Sequence, residues 1–213
     1  MPASVNAGRK GHRWFATSYD LLTRWSERRL LGHLRPRIAG AATGRVLEIG
    51  VGTGANLPYY QGVYQLVATD PDPFMLGRAE RRAAELGLSA EFHRCSAEAL
   101  PFASGAFDTV VATLVFCSVS DPARALAEVE RVLKPAGVLR FIEHVRADES
   151  FIGHIQDMLT PVWRWFGAGC HLNRRTAASI EAAGFEFLEL QRQRLPLMPL
   201  IFGAAKPKET RTQ

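Results

Sequence analysis

The feature that most limits the fold is a short apolar run, Val46-Leu47-Glu48-Ile49, that leads directly into Gly50-Val51-Gly52-Thr53-Gly54. A run this short reads as a strand buried on both faces, and alternate glycines permit a tight turn that residues with a Cβ resist. Similar punctuation recurs along the chain. Leu66–Thr69 closes on Asp70-Pro71, and Ala90–Arg94 reads as a weaker strand. Thr109–Val115 is entered through Phe107-Asp108, and Val138–Ile142 follows Pro135-Ala136-Gly137. Glu186–Gln191 and Leu200–Ala204 complete a set of seven expected strands. Between them, residues 74–86, 122–133, 151–166 and 175–183 carry helical signals, with stops at Gly87 and at Pro135–Gly137. Strand–helix alternation predicts right-handed crossovers and a doubly wound, mostly parallel α/β sheet.

The length of 213 residues fits one domain with extensions, and 47% hydrophobic content is ordinary for a globular chain that needs no disulfide or metal staple. The expected domain covers residues 41–207, with a helical cap inserted at about 145–184 and a tail at 208–213. Residues 1–40 form a basic arm. Its first twelve residues lack an apolar period. From Trp14 to Ile38 apolar residues recur at helical spacing until Pro36, which is expected to end or bend the helix. This helix is expected to fold over the sheet's ligand edge. Residues 1–45 carry a net charge of +7, leaving −2 for the rest. Such an arm suits either a solvated surface helix or peripheral contact with an anionic membrane, whereas nucleic acid is not expected because the charge does not continue across the body. No uninterrupted apolar run is long enough to span a bilayer, and no secretory signal is evident. Cys95, Cys117 and Cys170 are far apart in sequence and show no metal-ligand spacing, so reduced thiols, no metal and a cytoplasmic location are expected, with peripheral contact with the membrane as the alternative.

In a doubly wound sheet, ligands bind beyond the carboxyl ends of the strands, where strand order reverses. Glu48 and the glycine turn lie at one such end. Asp70 ends the next strand, where a carboxylate can accept both hydroxyl hydrogens of a ribose. The pattern is G-x-G-x-G preceded by an acid, not the G-x-G-x-x-G that brings a helix to a pyrophosphate. An acid there repels pyrophosphate and suits an ammonium group. Adenosine with a cationic amino-acid tail therefore fits better than NAD or ATP, although an NAD-dependent or non-catalytic binding protein remains a rival reading.

Val46–Gly54 resembles the first motif of class I S-adenosylmethionine-dependent methyltransferases, and Ala68–Leu76 resembles their second. Ser96–Phe102 is similar to the third and Phe107–Val111 to the fourth. Arg131–Leu139 resembles the turn into their fifth strand. Thr113–Val119, Glu143-His144-Val145 and Gly169–Arg174 further resemble the methyltransferase-like, membrane-associated alkyl thiol methyltransferases. Those proteins begin with an apolar anchoring segment, where this chain has its basic arm. The glycine turn with Leu57-Pro58-Tyr59-Tyr60 is also similar to bacterial phospholipid N-methyltransferases.

The resemblance implies a Rossmann-like fold, an enzyme, and S-adenosyl-L-methionine as cofactor. Glu48 and the backbone of Gly50, Gly52 and Gly54 would surround the methionine part, and Asp70, with Pro71 beside it, would hold the ribose. Met75 would lie against adenine or in the core. Ser96, Ala97 or Glu98 would meet the adenine amino group, Thr113 and Leu114 would border the methyl-donor pocket, and Tyr19 would cover the amino-acid tail or pack locally. His144 is the first candidate base and His171 the second; a catalytic cysteine is not expected. Phe116, Trp163, Trp165 and Phe166 would line an apolar acceptor pocket or pack in the core. Methyl transfer to a small hydrophobic acceptor, with a thiol among the candidates, is the expected function. The alternative is a phospholipid or quinone methyltransferase at the membrane surface.

Overall fold

Strands that are apolar on both faces must be covered from both sides, and the chain supplies helices for each. The computed structural model of the protein describes residues 31–166 and 169–208, leaving aside the side chains of 164–166. In order these form α1 (Arg35–Ile38), β1 (Arg45–Ile49), β2 (Gln65–Thr69), α2 (Pro73–Glu85), β3 (Glu91–His93), β4 (Phe107–Thr113), α3 (Pro122–Val132), β5 (Leu133–His144), α4 (Ser150–Phe166), α5 (Thr176–Ala182), β6 (Phe185–Gln193) and β7 (Leu200–Pro207). The strands make one seven-stranded sheet in the order β3-β2-β1-β4-β5-β7-β6. The first five run parallel, and β7 is antiparallel to both β5 and β6. The order reverses between β1 and β4, which places a ligand-binding crevice at their carboxyl ends.

Alternation along the strands sorts the core into two layers. Leu47, Val110, Ala112, Leu139 and Phe141 pack with Leu126 and Val129 of α3 and Ile180 of α5. Val46, Leu66, Val111 and Ile142 pack with Leu76 and Ala79 of α2 and with Leu34 and Ile38 at the arm's described end. Helices α2 and α3 both start after an aspartate and open with proline. The Asp72 carboxylate accepts from the N–H groups of Phe74 and Met75, and Asp121 accepts from that of Arg124.

The observed boundaries differ from expectation in instructive ways. Strand β4 stops at Thr113 although the β-branched run continues, because Leu114 turns with φ 58° and the next three N–H groups bond a buried side chain instead of a neighbouring strand. Helix α3 passes straight into β5, and Lys134–Gly137 are taken up where the β4–β5 register shifts. Pro36 sits in the first turn of α1, where its missing N–H costs nothing. The expected helix up to residue 30 lies outside the described residues.

The last cations of the basic stretch 1–45 serve the fold. Arg35 is buried, Arg37 pairs with Glu189 at 3.2 Å, and the Arg45 guanidinium lies 4.9 Å from the Phe107 ring centre. Between β5 and β6 the two helices have different surroundings. Helix α5 packs on β6 and α3, whereas α4 leaves Phe151, Met158, Leu159 and Val162 exposed. None of the described helices is long and apolar enough to cross a membrane.

Gly203 in β7 faces a bulge in β6, and a Cβ there would lie 2.0 Å from the Glu189 carbonyl oxygen. Gly203→Ala is expected to lower the unfolding free energy by about 1–3 kcal/mol, the usual cost of an overpacked site. Urea denaturation that leaves the midpoint unmoved would contradict this account of the β6–β7 pairing.

Candidate active site

The glycine turn follows β1, and each of its glycines answers a different demand. All three have positive φ: 62° at Gly50, 56° at Gly52 and 81° at Gly54. A Cβ on Gly50 would strike Val115, and one on Gly54 would strike Leu57 while crowding Ala79 of α2. A Cβ on Gly52 would meet nothing within 4 Å among the described residues. Gly50 and Gly54 therefore let neighbouring elements close in, while Gly52 borders open space.

Asp70 fastens this turn to the end of β2. Its Oδ2 accepts the Gly52 N–H at 2.9 Å, and its Oδ1 accepts the Asp72 N–H at 2.8 Å. Each oxygen keeps a second lone pair. Burial pushes the carboxyl up to about 6 against the pull of these two N–H groups.

Glu48 lies deeper. Its Oε1 accepts from Asn56 Nδ2 at 2.9 Å, and the same amide donates to Thr113 Oγ1 at 3.1 Å. Arg35 in turn donates to Asn56 Oδ1 at 2.6 Å. Among the described residues Glu48 Oε2 and the Tyr60 hydroxyl are buried and neither has a geometric hydrogen-bond partner, although the phenol lies close enough to the carboxylate to help hold its charge. Burial pushes Glu48 up to about 7 and, together with the nearby carboxylate, raises the Tyr60 phenol well above its usual range. Asn56, Arg35 and Tyr60 were not among the residues expected from sequence.

Beyond β4 a second carboxylate organises the edge. Glu143 Oε1 accepts the N–H groups of Val115 and Phe116 at 2.8 and 2.9 Å, and Oε2 accepts that of Cys117 at 2.9 Å. Burial raises its pKa well above the usual carboxylate range, and these three bonds pull it down. The loop is pinned from the other side as well. His171 N–H donates to Cys117 O at 2.8 Å, its ring Nδ1 lies 3.2 Å from the same oxygen, and Arg174 donates to Phe116 O at 2.5 Å. His144 ends β5, with Nδ1 3.6 Å from Cys170 Sγ. Both candidate histidines thus border one edge.

The remaining expected residues are distributed as follows. Met75 is buried at the start of α2, next to the capped first turn, and the Pro71 carbonyl accepts from Arg94 Nε at 3.2 Å. Ser96 Oγ accepts the Glu98 N–H at 3.2 Å, Ala97 is buried, and the Glu98 carboxylate accepts the Asp121 N–H at 2.8 Å. Glu98 is therefore tied to the start of α3. Leu114 donates its N–H to Ile142 O at 2.8 Å and packs partly buried beside Cys117 and Leu172. Phe116 is fully buried in the core, and Trp163 is 36% exposed on α4. Tyr19 and the side chains of Trp165 and Phe166 lie outside the described residues.

The family model described as "Methyltransferase domain" matches residues 47–141. The chain is 34% identical over 201 residues to the thiol S-methyltransferase TMT1A of Homo sapiens, covering 90% of this chain and 82% of that protein. It is 32% identical over 151 residues to a phosphatidylethanolamine N-methyltransferase of Cereibacter sphaeroides, covering 69% and 72%. Among solved structures it superposes on the YcgJ protein of Bacillus subtilis with a TM-score of 0.69 and 18% identity, over 84% of this chain and 98% of that one.

Two outcomes follow from this geometry. A carboxyl whose pKa is raised by folding favours the folded state below its unfolded value and loses that contribution as pH rises through the folded value. The ligand-free protein should therefore lose stability between about pH 4.5 and 7 through Glu48, and Glu48→Gln should flatten that part of a pH series of thermal melts. Separately, Glu143→Gln sets an amide NH2 against at least one loop N–H, at about 1–3 kcal/mol for the donor left unpaired. Hydrogen exchange at the amides of Val115–Cys117 should accelerate relative to the rest of the sheet.

Proposed function

The chain belongs to the S-adenosylmethionine-dependent methyltransferase family that includes the thiol S-methyltransferases, and on that premise we propose that it methylates the sulfur of a small hydrophobic thiol. It is a methyltransferase and uses S-adenosyl-L-methionine. The residues present fit this group. Among the described residues one buried Glu48 oxygen has no partner and suits an ammonium, Gly52 opens onto free space, and each Asp70 oxygen retains a lone pair for a ribose hydroxyl.

When bound, S-adenosylmethionine supplies a methyl group on a sulfonium sulfur, a strong electrophile with a neutral leaving group. The protein's work is then positional, and in-line placement can contribute up to ~7–11 kcal/mol. Glu48 orients the amino-acid end through the network fixed by Asn56 and Arg35, and Asp70 orients the ribose. Met75 and the Ser96–Glu98 turn flank the adenine side, with the Ala97 N–H as the polar contact because Glu98 is engaged at α3. Thr113 and Leu114 separate this pocket from the acceptor edge, where His144 and His171 stand as the side chains able to take a proton from an acceptor that arrives as a thiol.

The observation that carries the thiol reading is the apolar lining of that edge, where Leu172 is buried and Leu114 and Met198 pack against it. Such surroundings suit an uncharged alkyl chain. A second reading, methylation of a phospholipid amine at a membrane surface, draws on the exposed apolar side chains of α4 and on the phosphatidylethanolamine N-methyltransferase relative. Labelled cofactor assayed with alkyl thiols and with phosphatidylethanolamine vesicles separates the two. Label transferred to thiol and not to lipid supports the first reading, and the reverse overturns it.

By calorimetry, Asp70→Ala should weaken S-adenosylmethionine binding by about two orders of magnitude or more, from two charge-assisted hydrogen bonds of about 1.5–3 kcal/mol each. Because an ammonium favours ionised Glu48, affinity should fall as pH drops below about 7, and Glu48→Gln should remove that dependence. Wild-type affinity in the Asp70 variant would overturn the assignment of the ribose site.

A further inference from the structure

Cys117, His144 and Cys170 come from three separate segments: the loop after β4, the end of β5 and the stretch before α5. The fold brings a ligand atom from each within 4.8 Å of the others. We propose that these residues form a binding site for a thiophilic divalent cation, zinc first, whose open fourth position takes the sulfur of the acceptor. Only this last element rests on the thiol reading of the function.

The distances suit the ion. With zinc–sulfur bonds of about 2.3 Å and zinc–nitrogen bonds of about 2.0–2.1 Å, adjacent ligand atoms of a tetrahedron lie roughly 3.5–3.8 Å apart. Cys170 Sγ and His144 Nδ1 are 3.6 Å apart. The ligand set is equally selective, since two thiolates and an imidazole favour zinc over the hard, oxygen-seeking cations. Both cysteines are buried and neither is in a disulfide.

The scaffold around the site is firm, as a metal site requires. The Cys117 N–H is held by Glu143 and its carbonyl by His171, while His144 lies in the β5–β7 ladder opposite Leu200. Two thiolates cancel the charge of a divalent ion, so the site is neutral until a further anion arrives. Three protein ligands with one open position mark zinc sites that act on a substrate, whereas purely structural sites have four.

An alkanethiol reaching that position would lose its S–H proton to solvent, and its sulfur would replace a metal-bound water. The product of that exchange is a metal-held thiolate at neutral pH, lined by Leu114, Leu172 and Met198. Coordination through Nδ1 removes His144 from the role of proton acceptor.

The experiment uses full-length protein, reduced and stripped of metal with a chelator, then titrated with Zn2+ by calorimetry and with Co2+ by absorption spectroscopy. We expect one equivalent per chain, intense visible bands of tetrahedral cobalt, and a near-ultraviolet thiolate-to-cobalt charge-transfer band. Cys117→Ser and Cys170→Ser should each weaken the charge-transfer band, and either change or His144→Ala should lower affinity by at least about a hundredfold. Adding an alkanethiol to the cobalt form should shift the spectrum, and the matching methyl thioether should not. Saturable binding that is missing from the wild type, or that survives in the Cys117→Ser/Cys170→Ser double variant, overturns the metal site. A spectrum indifferent to the thiol overturns coordination of the acceptor. S-adenosylmethionine calorimetry on the same samples reads the methyltransferase site independently, so failure of one proposal is not mistaken for failure of the other.

Discussion

A parallel sheet ends in backbone N–H groups that its own ladders cannot satisfy, and in this protein buried carboxylates take them. Asp70 accepts from Gly52 and Asp72, and Glu143 accepts from Val115, Phe116 and Cys117. Apart from the Asp70–Asp72 bond, which stays within one loop, each of these ties the carboxyl end of one strand to the loop that leaves another. The crevice at the β1–β4 reversal keeps its shape because buried carboxyl groups accept the N–H groups of the loops on both sides of it. Burying an acid is costly, which is why the pKa values of Glu48, Asp70 and Glu143 all move upward.

The carboxylates nevertheless do different work. Glu143 has both oxygens engaged by its own chain and so acts as architecture. Asp70 is half engaged, and Glu48 has one oxygen satisfied through Asn56 and the other without a partner among the described residues. Remaining acceptor capacity therefore increases from the acceptor edge toward the cofactor pocket. A carboxylate oxygen left without a partner in a buried site is an unfavourable arrangement unless a cation completes it, and the ammonium of S-adenosylmethionine is such a cation.

Much of this was legible before any coordinates. The strands are short apolar runs bounded by Gly, Pro and Asp, so their number and succession along the chain could be read, and helices α2 and α3 were legible from their helical pattern and the stops at Gly87 and Pro135–Gly137. The glycine turn and Asp70 stood out because their spacing is set by one ligand. Asn56 and Arg35 did not stand out, and Glu143 appeared only within the Glu143-His144-Val145 likeness, with no role attached. Each is an isolated polar residue without a periodic signature, and the partners of Asn56 lie 8, 21 and 57 residues away. The turn at Leu114 was hidden inside a β-branched run that looks uniformly strand-like, since nothing local to residues 113–117 reveals that a glutamate 26–28 residues on will take their N–H groups. Cys117, His144 and Cys170 were invisible as a group for a related reason: linear spacing registers ligands on one loop or helix, and these sit on three segments.

The reversal of β7 has a geometric corollary. Because it runs against β5, it begins at Leu200 opposite His144 and ends at Pro207 opposite Phe185, the first residue of β6. The backbone thus leaves the sheet at the pole opposite the crevice. An affinity handle or reporter domain joined beyond Pro207 would project away from the ligand side, whereas one joined ahead of Leu31 would connect to the segment whose Arg35 steadies Asn56 beneath the glycine turn. For any immobilised or labelled form of the enzyme, the two ends of the fold are not equivalent.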